Sequence, residues 1–154
     1  CFAGLNLAGI DWFNVRLIGA DLAGANLGGA NLRASTLNGA NLAGADLSGA
    51  LLGDGASFAS AILTSAHLQN TDLTLADFSL ANLEYANLSQ TTAVRATFHS
   101  ANLRHAKFES ATLSSSNFRE ANLYRANFSN ANLSHADLTR VDASFSNFSG
   151  ADLT

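Results

Sequence analysis

The chain has 154 residues, of which 13% are charged, and a formal net charge of −4. Its single cysteine, Cys1, excludes an internal disulfide framework and any metal site built from several cysteines. The length suits one domain over residues 1–154, because an even composition offers no boundary at which to divide the chain. The negative charge argues against sequence-independent binding to nucleic acid.

The sequence predicts no membrane span. No apolar stretch approaches the ~18–20 residues that a spanning helix needs, because Asp, Asn, Ser or Gly interrupts the chain every few positions. Met is absent, so we expect a processed product or a fragment, with a lipid tether at Cys1 as the alternative to a trimmed chain. The compartment stays open: the cytoplasm is favoured, and the periplasm or thylakoid lumen applies if a leader preceded Cys1.

From the first residues onward, a large apolar residue recurs at every fifth position, and the residue two places before it is usually Ala. The unit therefore reads A-[D/N]-L-x-x, with Leu or Phe as its centre. One series of centres runs from Phe2 to Leu52, and a second runs from Phe58 to Leu153, which makes 31 units with one inserted residue. Two units, at Ala93 and Ala143, lack a large centre.

A period of five fits neither the 3.6 of a helix nor the 2 of a flat strand, so the chain must bend in every unit. If each unit is a short extended segment plus a bend, the centre and the residue two before it point the same way, toward the core. In the first third the last residue of the unit is repeatedly Gly, which suits the positive φ of a type II turn. Later units place Ser, Asn, Gln, His or Arg there, so we expect the turn type to change along the chain.

The frame slips by one residue near residues 53–57, around Gly53-Asp54-Gly55. The favoured interpretation is a one-residue bulge absorbed at a bend, with Gly supplying the unusual dihedral angles. The alternative is a protruding loop that contacts a partner.

Units such as Ala20-Asp21-Leu22-Ala23-Gly24 and Ala101-Asn102-Leu103-Arg104-His105 resemble the pentapeptide-repeat family over essentially the whole chain. The resemblance implies an all-β fold, a right-handed quadrilateral parallel β-helix with four pentapeptides in each coil. The chain would then form about eight coils, and a spacing of ~4.8 Å between stacked strands makes the rod roughly 37 Å long.

The distribution of Phe supports a twenty-residue coil independently of the family. Sorting the centres into four columns with that period places every central Phe except Phe2 in two opposed columns, while the other two columns are almost entirely Leu. Stacked Phe rings in these columns would help to define the cross-section.

The outer surface differs between the two halves of the chain. Residues 1–77 carry six Asp and two Arg, whereas residues 78–154 carry six acidic and six basic residues with bulkier side chains at the bends. The same twenty-residue period places seven of these residues in two adjacent columns, and we call this set the strip. The strip is a candidate protein-binding surface, and its members are Glu84, Tyr85, Arg104, His105, Tyr124, Arg125 and Phe145. Tyr and Arg dominate the energetics of many interfaces, although a ladder of ordinary solvated side chains would look the same in sequence.

No catalytic constellation emerges from the sequence, and we predict neither an enzyme nor a cofactor. The four histidines fall in different columns, so no metal site is expected, and no Ser is presented with a His and a carboxylate. Most Asp residues occupy the second position of the unit, where Asn substitutes freely. This exchange fits hydrogen bonding to the backbone at bends better than acid–base chemistry.

The favoured functional hypothesis is a non-enzymatic structural scaffold or protein–protein interaction module, with any specificity on the outer surface of the second half. Many bacterial and cyanobacterial members of the family that it resembles fit this description. The alternative is a DNA-mimicking binder of a type II topoisomerase (gyrase) that confers quinolone protection, for which a strongly acidic surface and a dimerising C-terminal module are expected. Expected partners are a protein or a larger assembly, with end-to-end self-association as a further option because both end coils look uncapped.

Overall fold

The computed structural model describes all 154 residues, and they form neither a helix nor a continuous strand. Instead, the residue before each centre makes an isolated parallel β-bridge, in a series that runs from Asn6 to Asp152. Each bridge joins residues that are 20 apart in sequence, or 21 apart where the pair spans the inserted residue. One coil of the chain therefore contains four repeat units.

Three backbone hydrogen bonds per unit hold each coil to the next. In the unit centred on Leu103, the N–H of Leu103 donates to the carbonyl of Asn122 at 2.8 Å, and the N–H of Asn122 donates to the carbonyl of Ala101 at 3.0 Å. The N–H of His105, the second residue of the turn, donates to the carbonyl of Tyr124 at 2.9 Å. Because these bonds recur in coil after coil, most of the backbone is satisfied without regular strands.

The core is one continuous cluster of side chains along the inside of the rod. The centres from Leu22 to Leu133 and the Ala residues two places before them, from Ala25 to Ala131, are 0–1% exposed. This burial confirms the prediction that the centres and the Ala residues point toward the core. Four small positions hold a polar residue instead, and each hydroxyl donates to the carbonyl of the preceding centre; these residues are Ser35, Thr71, Thr91 and Ser116.

Phe rings stack in two columns inside the rod from Phe58 onward, as the twenty-residue sorting predicts. Phe58, Phe78, Phe98 and Phe118 form one stack with ring centroids 4.8–5.3 Å apart. The second stack contains Phe108, Phe128 and Phe148, with centroids 4.7–5.0 Å apart. The two stacks meet edge to face at 5.6–5.8 Å, which is a favourable geometry for aromatic pairs.

The prediction that the turn type changes along the chain is wrong. The second turn residue has a positive φ in every unit that has one, whether it is Gly24 at +63°, Leu80 at +60° or Arg125 at +57°. For a residue other than Gly this conformation costs of order 1–3 kcal/mol. In most units the N–H of this residue bonds to the next coil, as Tyr85 does to Arg104 at 3.0 Å, so stacking favours a positive φ at this position.

The inserted residue lies in an enlarged turn at residues 53–55. Asp54 and Gly55 both have positive φ, at +56° and +77°. The side chains on either side of the turn, Leu52 and Phe58, remain 0% exposed. The turn thus absorbs the extra residue as a local bulge, and the core continues through it without a break.

Burial decreases in the first and last coils. Phe2 and Trp12 are only partly buried and meet edge to face at 5.4 Å, and Leu153 is 57% exposed.

No part of the chain forms a helix with the length and apolarity needed to cross a lipid bilayer.

Candidate functional site

The strip lies along one side of the rod, at the turns that follow the centres Leu83, Leu103, Leu123 and Ala143. Successive turns belong to successive coils, because bridges join Asn82 to Asn102 and Asn102 to Asn122. The structure brings all seven predicted residues together: Glu84, Tyr85, Arg104, His105, Tyr124, Arg125 and Phe145. Each of them contacts at least one other member of the strip.

Rings form a continuous chain along the strip. Tyr85 stacks on His105 with centroids 4.7 Å apart and planes 11° apart. His105 meets Tyr124 edge to face at 5.9 Å, and Tyr124 meets Phe145 in the same way at 5.6 Å. Tyr85 is 55% exposed and Phe145 is 78% exposed, so both ends of this chain of rings present apolar surface to solvent.

Two arginines share the ring of Tyr124. The guanidinium carbon of Arg104 lies 4.7 Å from its centroid and that of Arg125 lies 5.3 Å away, both within cation–π range. Arg125 also lies 5.9 Å from the ring of Phe145. Arg104 Nε is 3.6 Å from Glu84 Oε1, whereas no carboxylate lies within ion-pair distance of Arg125. The stacked guanidinium of Arg125 therefore keeps its donors free.

The strip is a raised edge and has no concave site beside it. No cavity or cleft is found anywhere on the rod, and no group of three or more His, Cys, Asp or Glu residues is close enough to hold a metal ion. Such a surface can contact another macromolecule through exposed rings and a free guanidinium. It has no enclosed volume in which a small substrate could be held.

Asp and Asn residues before the centres cap the turns that follow them. Their side-chain oxygen accepts the N–H of the first turn residue, as Asn122 Oδ1 does from Tyr124 at 3.0 Å and Asn102 Oδ1 does from Arg104 at 3.3 Å. The interpretation of these residues as backbone hydrogen-bonding groups is thus confirmed. In the strip, these caps hold the backbone of both Arg104 and Tyr124.

Sequence matches to pentapeptide repeats, in eight copies, cover residues 16–54, 54–79, 76–119 and 116–154. The chain belongs to the pentapeptide-repeat family. No curated protein matches this chain. Its membership, together with a structure free of helices, establishes the right-handed β-helix.

Among solved structures, this pentapeptide-repeat chain is similar to a trypsin-treated variant of QnrB1, described as a plasmid-mediated fluoroquinolone resistance protein. The TM-score is 0.72 and the identity 20%, over 99% of this chain and 85% of that one. Full-length QnrB1 is 22% identical over 97% of this chain and 82% of its own, with a TM-score of 0.44. HetL, a pentapeptide repeat protein involved in heterocyst differentiation regulation in the cyanobacterium Nostoc sp. strain PCC 7120, is 26% identical over 96% of this chain and 89% of its own, with a TM-score of 0.38. The similarity to the trypsin-treated QnrB1 variant, with its TM-score of 0.72, shows a shared fold and nothing more.

Two features were not predicted from the sequence, one beside the strip and one on another side of the rod. Asp142 precedes the last turn of the strip, and its pKa is lowered by the side-chain and backbone hydrogen bonds of Ser144 and also by the positive charge of Arg104. At another corner, Glu120 lies 3.5 Å from both Arg119 and Arg140. The twenty-residue period places Glu120 and Arg140 in one column, so this pair was detectable from sequence.

Capping also lowers the pKa of four carboxylates of this pentapeptide-repeat protein, those of Asp46, Asp137, Asp142 and Asp152. The hydroxyl of Ser48 and its N–H, at 2.9 Å from Asp46 Oδ1, lower the pKa of Asp46, and nearby His67 contributes to the same shift. A carboxyl group with a lowered pKa in the folded state stabilises the fold above its unfolded pKa, near about 4. That contribution is lost as the pH falls through the folded pKa.

Asp46→Asn is expected to lower stability slightly at pH 7, because a neutral amide oxygen accepts weaker hydrogen bonds than a carboxylate, and to weaken the further loss of stability below about pH 4. Asn keeps the capping oxygen, as Asn41 Oδ1 does when it accepts the N–H of Ala43 at 3.2 Å, but it cannot be protonated in this range. Thermal unfolding between pH 2 and 7 measures the difference. Asp54→Asn is the matched control, because Asp54 lies in the enlarged turn, caps no turn and forms an exposed ion pair with Arg33 at 4.0 Å. Equal acid sensitivity of wild type and Asp46→Asn would contradict the expectation.

Proposed function

We propose that this protein is a non-enzymatic structural scaffold and protein–protein interaction module whose specificity lies in the strip. The observation that carries the proposal is the contact of seven side chains from four successive coils on one edge of the rod. Aromatic rings and arginines with exposed surface are the groups that contribute most to protein interfaces.

We propose that residues 1–154 form a single rod that carries the strip. The rod has a four-sided cross-section and nearly eight coils. The twenty-residue bridge spacing and the single core of 41 buried residues support it. In a repeat protein each coil contacts only its neighbours, so the strip is carried by a locally regular and extended surface.

The test is affinity capture from a lysate of the source organism with the double variant Arg125→Glu plus Tyr85→Ala. Loss of partners that bind the wild-type protein is expected, because the variant removes an aromatic face and reverses the free charge. Arg95→Glu serves as the control, because Arg95 is also an exposed second turn residue, with φ of +56°, at a different corner. If the double variant keeps every partner, the strip is not the binding surface.

The second candidate, a DNA-mimicking gyrase binder, has weaker support. The fold resembles that of QnrB1, but 20% identity supports no transfer of function. The second half of the chain, with six basic and six acidic residues, also lacks the acidic surface expected of a DNA mimic. Gyrase supercoiling assays with a fluoroquinolone and micromolar protein test this function directly, and an unchanged response across protein concentrations would remove it.

A further inference from the structure

We infer that the partner of the strip is a folded protein with a cleft that receives the strip as a ridge and places a carboxylate against Arg125. This inference rests on the proposed function, since it concerns the same surface. It adds the shape and the chemistry of the partner.

The shape follows from where the side chains are attached. All seven residues belong to turns, and turns are the outermost part of each coil. The rod has no cleft that could receive a peptide or a protruding loop. A raised edge with Phe145 78% exposed and Tyr85 55% exposed buries most surface by entering a groove in its partner.

The charge requirement follows from the unequal environments of the two arginines. Glu84 lies 3.6 Å from Arg104, and Asp142 adds a second negative charge near the same arginine. Arg125 is the cation of the strip that lacks a carboxylate partner, although its guanidinium packs over two rings. Packing restricts the side chain before binding, which reduces the entropy lost when a carboxylate forms two parallel hydrogen bonds with it.

The length of the ridge sets the length of the cleft. The strip spans four coils, and three steps of ~4.8 Å between coils make it roughly 14 Å long. We therefore expect one or two carboxylates near the middle of the cleft and apolar surface at its two ends, opposite Tyr85 and Phe145. This pattern is opposite in charge to a surface built to bind DNA, which is rich in Lys and Arg.

Photo-crosslinking in the source organism tests the inference, with a benzophenone amino acid in place of Phe145. The matched control carries the same group in place of Leu80, which is 64% exposed and has the same turn conformation at another corner. The expected result is a crosslink from position 145, absent from position 80, to a cleft-lining segment that contains Asp or Glu. With the purified partner, Arg125→Glu should weaken binding about 10- to 100-fold, whereas Arg95→Glu should leave it unchanged.

The outcomes separate this inference from the proposed function. A captured partner whose affinity does not respond to Arg125→Glu, or whose crosslinked segment lacks carboxylates, overturns the inference but leaves the strip as a binding surface. A crosslink to a second copy of this chain overturns it in the same way. The absence of any protein crosslinked at position 145 but not at position 80 overturns both.

Discussion

Phe98→Ala is expected to lower the free energy of unfolding by about 3–5 kcal/mol. Phe98 is 0% exposed and stacks between Phe78 and Phe118, at 5.3 and 4.8 Å. It also meets Phe108 edge to face at 5.6 Å. Truncation to Ala leaves a cavity on which three rings border, and the stacked coils cannot close it because hydrogen bonds hold their spacing.

Two further variants separate this packing effect from a general effect of losing a ring. Phe98→Leu should cost less than Phe98→Ala, because Leu37 fills the equivalent place three coils earlier in the same column. Phe145→Ala should change stability by no more than about 0.5 kcal/mol, since that ring lies on the surface. Urea unfolding followed by circular dichroism measures all three variants. Equal losses for Phe98→Ala and Phe145→Ala would show that the internal column contributes nothing special.

Deletion of Ser65 is expected to unfold the coils that follow it, whereas deletion of Gly55 should change stability by only about 1 kcal/mol, the cost of a modest change in a turn. Without Gly55, the chain from Leu52 to Phe58 becomes an uninterrupted five-residue repeat, with Asp54 already at a positive φ of +56°. Without Ser65, the unit between Leu63 and Leu68 has four residues, and every later unit is displaced by one position.

The displacement is costly because inward and outward residues alternate in the extended part of each unit. A shift of one residue places Asp or Asn where Leu was buried and exposes the Leu. Each lost large side chain forfeits about 1.5–3 kcal/mol of burial, and many units follow Ser65. Limited trypsin digestion and circular dichroism of the two deletion variants measure the outcome. Similar protease resistance of both variants would show that the chain can absorb a missing residue at any turn.

Repetition explains why so much of the fold was predictable from sequence. When the same five positions recur in unit after unit, the inward direction of Leu103 and Ala101 follows from the alternation of side chains in extended chain. The twenty-residue sorting then located both Phe columns and brought Tyr85, His105 and Arg125 of the strip together. Each of these predictions depends on register alone, and register is visible in the sequence.

The turn conformation was predicted wrongly because it depends on neighbouring coils. Local preference alone favours Gly at a positive φ, and it argues against Leu80 or Arg125 in the same conformation. In the folded rod, the N–H of most such residues reaches a carbonyl of the next coil, as Leu80 does to His99 at 2.9 Å. Hydrogen bonds and core packing repeated in every coil outweigh a local penalty of order 1–3 kcal/mol.

The sequence by itself determined the period, the inward and outward positions, the place of the inserted residue and the column to which each surface residue belongs. Only the tertiary structure decided that the second turn residue has a positive φ in every unit, that Arg104 and Arg125 pack on one tyrosine, and that Glu84 pairs with the first of them and not the second. The physical reason is that a five-residue pattern specifies direction and register. The orientation of a long side chain depends on residues 20 positions away, which become its neighbours only when the coils stack.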